Sequence, residues 1–309
     1  VINENSSTTR MRIVLNSALK NARSGLSLND CMYQGPDELA VLTDILLHFR
    51  TVEAGLIFDV EKAYQAIRTR EKDRHLRRIL YRPSPDAEWE DWAYDRVTFG
   101  DKAAGLLLET AKRRAATVGA EIDPEAAKQI RDKTYVDDGL AGGSPEEVAR
   151  WRGQEEDGRD GTIFQILATC GLKVKFLVET GDRRPEAAEH LGGKVLGISY
   201  DVAEDTLSYS IPLQFNLKGR PGHKKTVHLG LKEIQEIRSG ERSLSRREAL
   251  SFCAGVYDPL GHIGPALLRG RLLLQRLHGA GGTWDSDMPV GLTGSRNWPR
   301  RQGSTWKER

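Results

Sequence analysis

Tyr135-Val136-Asp137-Asp138-Gly139 is the stretch that decides the fold. Ile130 to Tyr135 carries enough β-branched and aromatic residues to predict a strand. Asp138-Gly139 is a two-residue hairpin signal, and Leu140-Ala141 then begins the returning strand. Two adjacent carboxylates at a hairpin tip repel each other. A divalent cation relieves that repulsion, because hard cations take oxygen ligands. The pattern points to a metal-dependent site if a third carboxylate arrives from elsewhere in the chain.

Asp59 is the best partner. It ends the short apolar run Leu56-Ile57-Phe58-Asp59-Val60, which reads as a buried strand from whose end a side chain can emerge. Carboxylates on two separate strands suit two-metal chemistry, in which ions about 4 Å apart activate an attacking hydroxyl and stabilise a leaving group. Mg²⁺ keeps several waters, so two or three acids suffice. Tyr64 follows in Asp59-Val60-Glu61-Lys62-Ala63-Tyr64. Its ring could lie under the sugar of an incoming nucleotide, or simply serve as a core aromatic.

The 309 residues suit one large domain or two ordinary ones, and 39% hydrophobic residues allow a sizeable core. With 46 Lys+Arg against 44 Asp+Glu, net charge argues little for nucleic acid. Local basic clusters, among them Arg77-Arg78, Lys112-Arg113-Arg114 and Arg183-Arg184, read individually as solvated faces. Three dispersed cysteines form no Cys-x-x-Cys pair and no disulfide framework, which fits a reducing compartment. His223 and His228 lack a cysteine pair, which argues against a zinc knuckle. No apolar run reaches membrane-spanning length, and there is no signal-peptide core. The chain begins with Val1 in mid-pattern, as a fragment of a longer polypeptide would.

Arg10 to Leu15 predicts a strand. Gly35-Pro36-Asp37-Glu38 reads as a helix start, with Leu39, Leu42, Leu46 and Phe49 at helical spacing. A strand is expected within Trp89 to Phe99 and a helix over Ala103 to Val118, closed by Gly119. Ser144-Pro145-Glu146-Glu147 combines an N-cap, a first-turn proline and a capping box. A helix over Ile163 to Cys170 precedes strands over Leu172 to Val178, Lys194 to Ser199 and Thr206 to Ile211. After Pro212, a basic connection leads into helices, one with the capping box Ser245-x-x-Glu248 and another running from Pro265 through Leu277. Strands and helices mix without regular alternation, so the expected class is α+β with helices on one face of the sheet, followed by a helical extension.

These motifs, in this order over residues 10 to 290, resemble the reverse transcriptase region of BEL/Pao-type long-terminal-repeat retrotransposons. Arg12-Ile13-Val14-Leu15, Ser27-Leu28-Asn29-Asp30 and Gly35-Pro36 look like its fingers segment, and Phe58-Asp59 through Tyr64 like its first palm motif. Val97-Thr98-Phe99-Gly100 resembles the start of the motif that contacts template and nucleotide. Tyr135-Val136-Asp137-Asp138 resembles the catalytic hairpin. Gly171-Leu172-Lys173-Val174-Lys175-Phe176 resembles the segment whose lysine approaches the nucleotide phosphates. Lys194-Val195-Leu196-Gly197-Ile198 resembles the strand that grips the primer. Val256-Tyr257-Asp258-Pro259-Leu260-Gly261 and Pro265 resemble the region downstream of the polymerase, often catalogued as the Pao retrotransposon peptidase family.

The resemblance implies a right-hand polymerase. It would have partial fingers over residues 1–55, a palm with an inserted fingers segment over 56–211, a helical thumb- or connection-like region over 212–290 and a disordered tail over 291–309. It implies RNA-directed DNA polymerase activity with Asp59, Asp137 and Asp138 holding two Mg²⁺ ions, or Mn²⁺ in their place. Arg12, Tyr64, Phe99, Gly100 and Lys175 would bind the nucleotide, with Tyr64 as steric gate, and Leu196 and Gly197 would bind the primer. The implied partners are an RNA or DNA template with primer, deoxynucleoside triphosphates, and ribonuclease H and integrase modules of the same polyprotein. No membrane is involved, and the implied location is cytoplasmic, including virus-like particles.

Two departures matter. Ala103-Ala104 stands where the family carries Ser-Pro at a helix start that faces nucleotide and template, so a catalytically decayed nucleic-acid-binding remnant is the alternative reading. The downstream region contains neither Asp-Ser-Gly nor Asp-Thr-Gly, the loop an aspartic peptidase needs, so Asp258-Pro259 reads as loop punctuation and a peptidase role is the weakest alternative.

Overall fold

The computed structural model describes residues 15–154, 159–209, 214–218, 224–279 and 282–287. The strand expected from Arg10, together with Arg12 and the tail from residue 291, lies outside them. The described residues form a mixed helix and antiparallel-sheet structure of the α+β class. They divide into two compact units, one running to Gly193 and including Asp201–Thr206, the other made of Lys194–Tyr200 and the chain from Leu207.

In the first unit, helix α1 (Leu42–Phe49) leads to strand β1 (Ala54–Glu61) and a short helix α2 (Ala63–Ala66). An exposed hairpin follows, β2 (Arg78–Tyr81) with β3 (Glu90–Ala93). Helices α3 (Ala104–Gly119) and α4 (Pro124–Asp132) precede β4 (Thr134–Tyr135) and β5 (Asp138–Gly143). Then come α5 (Pro145–Arg152), α6 (Thr162–Ala168), β6 (Lys173–Glu179) and α7 (Pro185–Leu191). Around the second unit run β7 (Lys194–Val195), β8 (Ile198–Asp201), β9 (Thr206–Ser208), β10 (Gln214–Lys218) and β11 (Lys224–His228). Helices α8 (Leu231–Ser239), α9 (Arg246–Ala254) and α10 (Gly264–Gly279) complete it.

The central sheet has the order β4-β5-β1-β6, antiparallel throughout. β1 is an inner strand, which is why it reads as a nearly continuous apolar run. Leu56, Phe58 and Val60 face a core built with Leu108, Ala115 and Ala116 of α3, Ile130 of α4, Trp151 of α5 and Ile163, Ile166 and Leu167 of α6. The other face is not bare, contrary to the one-sided arrangement expected. At Gly55 an added Cβ would lie 2.5 Å from the ring of Phe49, so α1 covers the end of that face remote from Asp59. Among the described residues, no helix is long and apolar enough to cross a membrane.

Several elements differ from the sequence reading. The first half of Ile130 to Tyr135, through Asp132, belongs to helix α4, because Asp123 accepts a hydrogen bond from Ala126 N and Pro124 occupies the first turn, a cap stronger than the local β propensity. Only Thr134 and Tyr135 remain as strand. The helix expected after Gly35 starts at Leu42 without a side-chain cap. Both capping boxes form as read, Ser144 with Glu147 and Ser245 with Glu248. The single strand expected over Lys194 to Ser199 is instead a hairpin turning at Leu196-Gly197, with Val195 opposite Ile198.

Candidate active site

The sheet register gathers the acids. Asp59 pairs directly with Asp138, so their side chains share a face as cross-strand neighbours. The hairpin tip lies two residues earlier in the chain than its sequence suggests. Tyr135 pairs with Asp138 and Thr134 with Gly139, leaving Val136-Asp137 as the two-residue loop. Gly139 is needed for packing and not for the turn, since a Cβ there would lie 2.0 Å from the Phe58 ring. The turn conformation falls on Val136, held at φ +56°. That is a strained position for a β-branched residue, and such strain persists only where the surroundings impose it. Here Val136 packs on the core, and Val60 N donates to Asp137 O at 2.9 Å.

Charge crowds this corner. Burial raises the Asp138 pKa to about 6, the Asp137 and Asp59 charges push the same way, and Lys175 partly offsets them. Lys175 reaches Asp59 through a bulge. β6 pairs Phe176 with Asp59 but Val174 with Val60, so Lys175 is the extra residue. A bulge re-aims a side chain, and Lys175 Nζ lies 3.5 Å from Asp59 Oδ2 in a partly exposed pair. Among the described residues, no three His, Cys, Asp or Glu side chains converge as a ready-made metal cage. The donor set still fits Mg²⁺, which binds through one or two carboxylates, its own waters and substrate phosphates. Burial first, and then the Asp137 and Asp59 charges, make ionised Asp138 costly, and a cation would lower that cost.

Tyr64 lies beside the acids. Its ring meets Phe99 edge-on at 5.2 Å, and burial followed by the Asp137 charge raises its pKa. Gly100, at φ +98°, uses its carbonyl to accept from Asn29 Nδ2 at 2.9 Å. Asn29 Oδ1 in turn accepts from Lys102 N at 2.9 Å. The segment resembling fingers is thus fastened to the Phe99-Gly100 loop. Ala103, where the family has serine, is the N-cap of α3 and provides no side-chain cap. Leu196 and Gly197 belong to the second unit and form a turn with both residues at positive φ, +46° and +83°. Tyr257 OH donates to Leu196 O at 3.0 Å, and a Cβ on Gly197 would lie 2.9 Å from its ring. Asp258 accepts from Ile263 N at 2.8 Å, consistent with loop punctuation.

Two basic clusters read as solvated are partly buried. Arg77 pairs with Asp101 at 2.9 Å, and Ser17 also donates to Asp101 at 2.6 Å. Lys112 is buried against Glu109. Neither pair was legible as a site, because the partners of Asp101 are remote in sequence and an i,i+3 pair on a helix is ordinarily solvent-facing. An open groove of about 1380 Å³ runs along β6, the last strand of the central sheet among the described residues, lined by Lys173, Lys175, Phe176, Arg184 and His190.

Residues 245–302 match the family model of the Pao retrotransposon-like RNaseH-like domain. The match begins at Ser245, the cap of α9, and takes in α10. It supports a Pao retrotransposon polyprotein as the setting of the chain, with nucleic acid as the substrate class of the matched region. The description is RNaseH-like, whereas the sequence reading attached a peptidase label to this region. No curated protein matches the chain.

Proposed function

We propose that the first unit is the palm and part of the fingers of an RNA-directed DNA polymerase from a Pao-type retrotransposon. We further propose that the second unit contributes nucleic-acid binding through its RNaseH-like region. One observation carries the reading: antiparallel pairing sets Asp59 directly across from Asp138, with Asp137 in the adjoining turn. Asp59, Asp137 and Asp138 would hold Mg²⁺, with Mn²⁺ as a substitute. The metal would supply an activated primer 3′-hydroxyl and charge stabilisation on the leaving pyrophosphate.

The chain's own residues orient the substrates. Tyr64, backed by Phe99, offers an aromatic face where the sugar of a deoxynucleoside triphosphate would lie, so that a 2′-hydroxyl would clash. Lys175, partly exposed beside Asp59, would neutralise the phosphates; its nearness to that acid supports the assignment. Arg12 and Gly100 complete the proposed nucleotide contacts, and the Leu196-Gly197 turn the primer contact. Binding of the template-primer duplex should weaken as salt rises.

Primer extension on an RNA template tests this. The expected result is DNA synthesis that requires Mg²⁺ or Mn²⁺ and disappears in Asp137→Asn. A second reading, a non-catalytic nucleic-acid-binding remnant, is favoured by Ala103 at the α3 start and by the RNaseH-like match. Duplex binding by the wild type without incorporation, under either metal, would establish it and refute the polymerase.

A further inference from the structure

Lys112 retains 1% of its surface exposure and sits in a core that includes Leu108, Ala115, Ala116 and Ile130. A lysine is seldom buried without a compensating partner. Its Nζ lies 2.6 Å from Glu109 Oε1, one turn earlier on α3 and equally buried. It also donates to Thr134 O at 3.0 Å. Thr134 is fully buried and leads into the Val136-Asp137 turn. The turn has two further backbone ties, Val60 N to Asp137 O and Leu140 N to Lys133 O, both 2.9 Å. Helix α3 therefore reaches the base of the acid hairpin through one charge-assisted bond, stronger than a neutral one. Burial lowers the Lys112 pKa, opposed by the Glu109 charge and hydrogen bond and, less strongly, by the Asp137 charge.

A buried ion pair is weak as a source of stability, since apolar side chains of similar volume often do as well or better. The pair thus calls for another role. We infer that Lys112 is a positioning residue for the acid hairpin: its side-chain amine grips the Thr134 carbonyl at the base of the turn. The turn is thereby held, with Val136 strained, in the register that brings the carboxylates together. The functional half of this inference rests on the polymerase reading; the mechanical half does not.

The test uses the full chain with Glu109→Met and Lys112→Met combined, which removes the pair without leaving a lone buried charge. Lys112→Gln is the second variant, keeping a neutral donor beside Glu109. Amide hydrogen exchange is read at Val60 and Leu140, against amides of α5 and α6 as internal reference. Exchange at Val60 and Leu140 should quicken about tenfold or more while the reference amides stay within about twofold, as loss of one hydrogen bond to a charged group implies. Lys112→Arg should restore protection. In primer extension, kcat should fall about tenfold, nucleotide KM should stay within about threefold, and the half-saturating Mg²⁺ concentration should rise. Unchanged exchange at both amides in variants as heat-stable as the wild type would overturn the inference. Inactivity of the wild type would sink the polymerase reading and leave the exchange result to decide the clamp.

Discussion

Two hairpins in different units close on two-residue loops, and they solve the same geometric problem differently. The first turns at Val136-Asp137 and the second at Leu196-Gly197. The second has both loop residues at positive φ and places glycine at one of them, the usual chemistry for a tight turn. The first places a β-branched residue at positive φ and a carboxylate beside it. Its strain is held by the core under Val136, by Val60 N and by the buried Lys112. The second is held by Tyr257, whose ring covers Gly197 and whose hydroxyl bonds Leu196 O. Strain retained where an unstrained solution exists marks a site where position outranks stability.

The largest contrast is chemical. Asp137→Asn or Asp59→Asn should cost on the order of a thousandfold or more in metal-dependent primer extension, as loss of metal-mediated charge stabilisation implies. Leu196→Ala should leave kcat within about threefold and weaken primer-template binding, read by filter binding over a salt series. If Leu196→Ala were the more damaging to kcat, the roles of the two hairpins would have to be exchanged.

Backbone substitutions should act unequally. Gly197→Ala combines positive φ with a clash on Tyr257 and should destabilise by about 1–2 kcal/mol. Val136→Gly relieves a strained φ but gives up the packing of Val136 on the core, so the two effects should roughly cancel and leave stability within about 1 kcal/mol, while activity falls through a looser turn. Urea unfolding measures both; a larger loss for Val136→Gly than for Gly197→Ala would erase the distinction.

The third contrast is in pH. Asp138 has a raised folded pKa, about 6 against a usual 3.8. Its proton is therefore bound more tightly in the folded state. The contribution is fully present below pH 3.8 and lost as pH rises through about 6. In metal-free protein, unfolding free energy should fall over that window, and Asp138→Asn should flatten the slope. An unaltered slope would mean that Asp138 is neither buried nor crowded as described. The smallest effect is expected for Tyr257→Phe, which removes one hydrogen bond worth about 1 kcal/mol and should speed amide exchange at the second turn alone.

Much of the site was legible because it depends on residue type and order. The strand ending in Asp59, the adjacent pair Asp137-Asp138 and the capping boxes at Ser144 and Ser245 each carry a local signature. The hairpin was misplaced by two residues because Asp-Gly is a strong turn signal, yet Gly139 is fixed by the Phe58 ring and takes no part in the loop. Helix α4 was missed because the apparent β propensity from Ile130 onward was outweighed, as far as Asp132, by the Asp123 cap and by the burial of Ile130. The reach of Lys175 could not be read, because a bulge exists only once two strands are in register.

The sequence by itself determined which acids the chain carries, the order in which they come and the strand and turn character around them, because these follow from local stereochemistry and patterning. Only the tertiary structure decided that Asp59 faces Asp138, that Val136 bears the turn, that Lys175 is thrown toward the acids and that Lys112 lies beneath them. Those depend on strand register and on a core assembled from helices far apart in the chain, where a shift of one residue would turn every side chain to the opposite face.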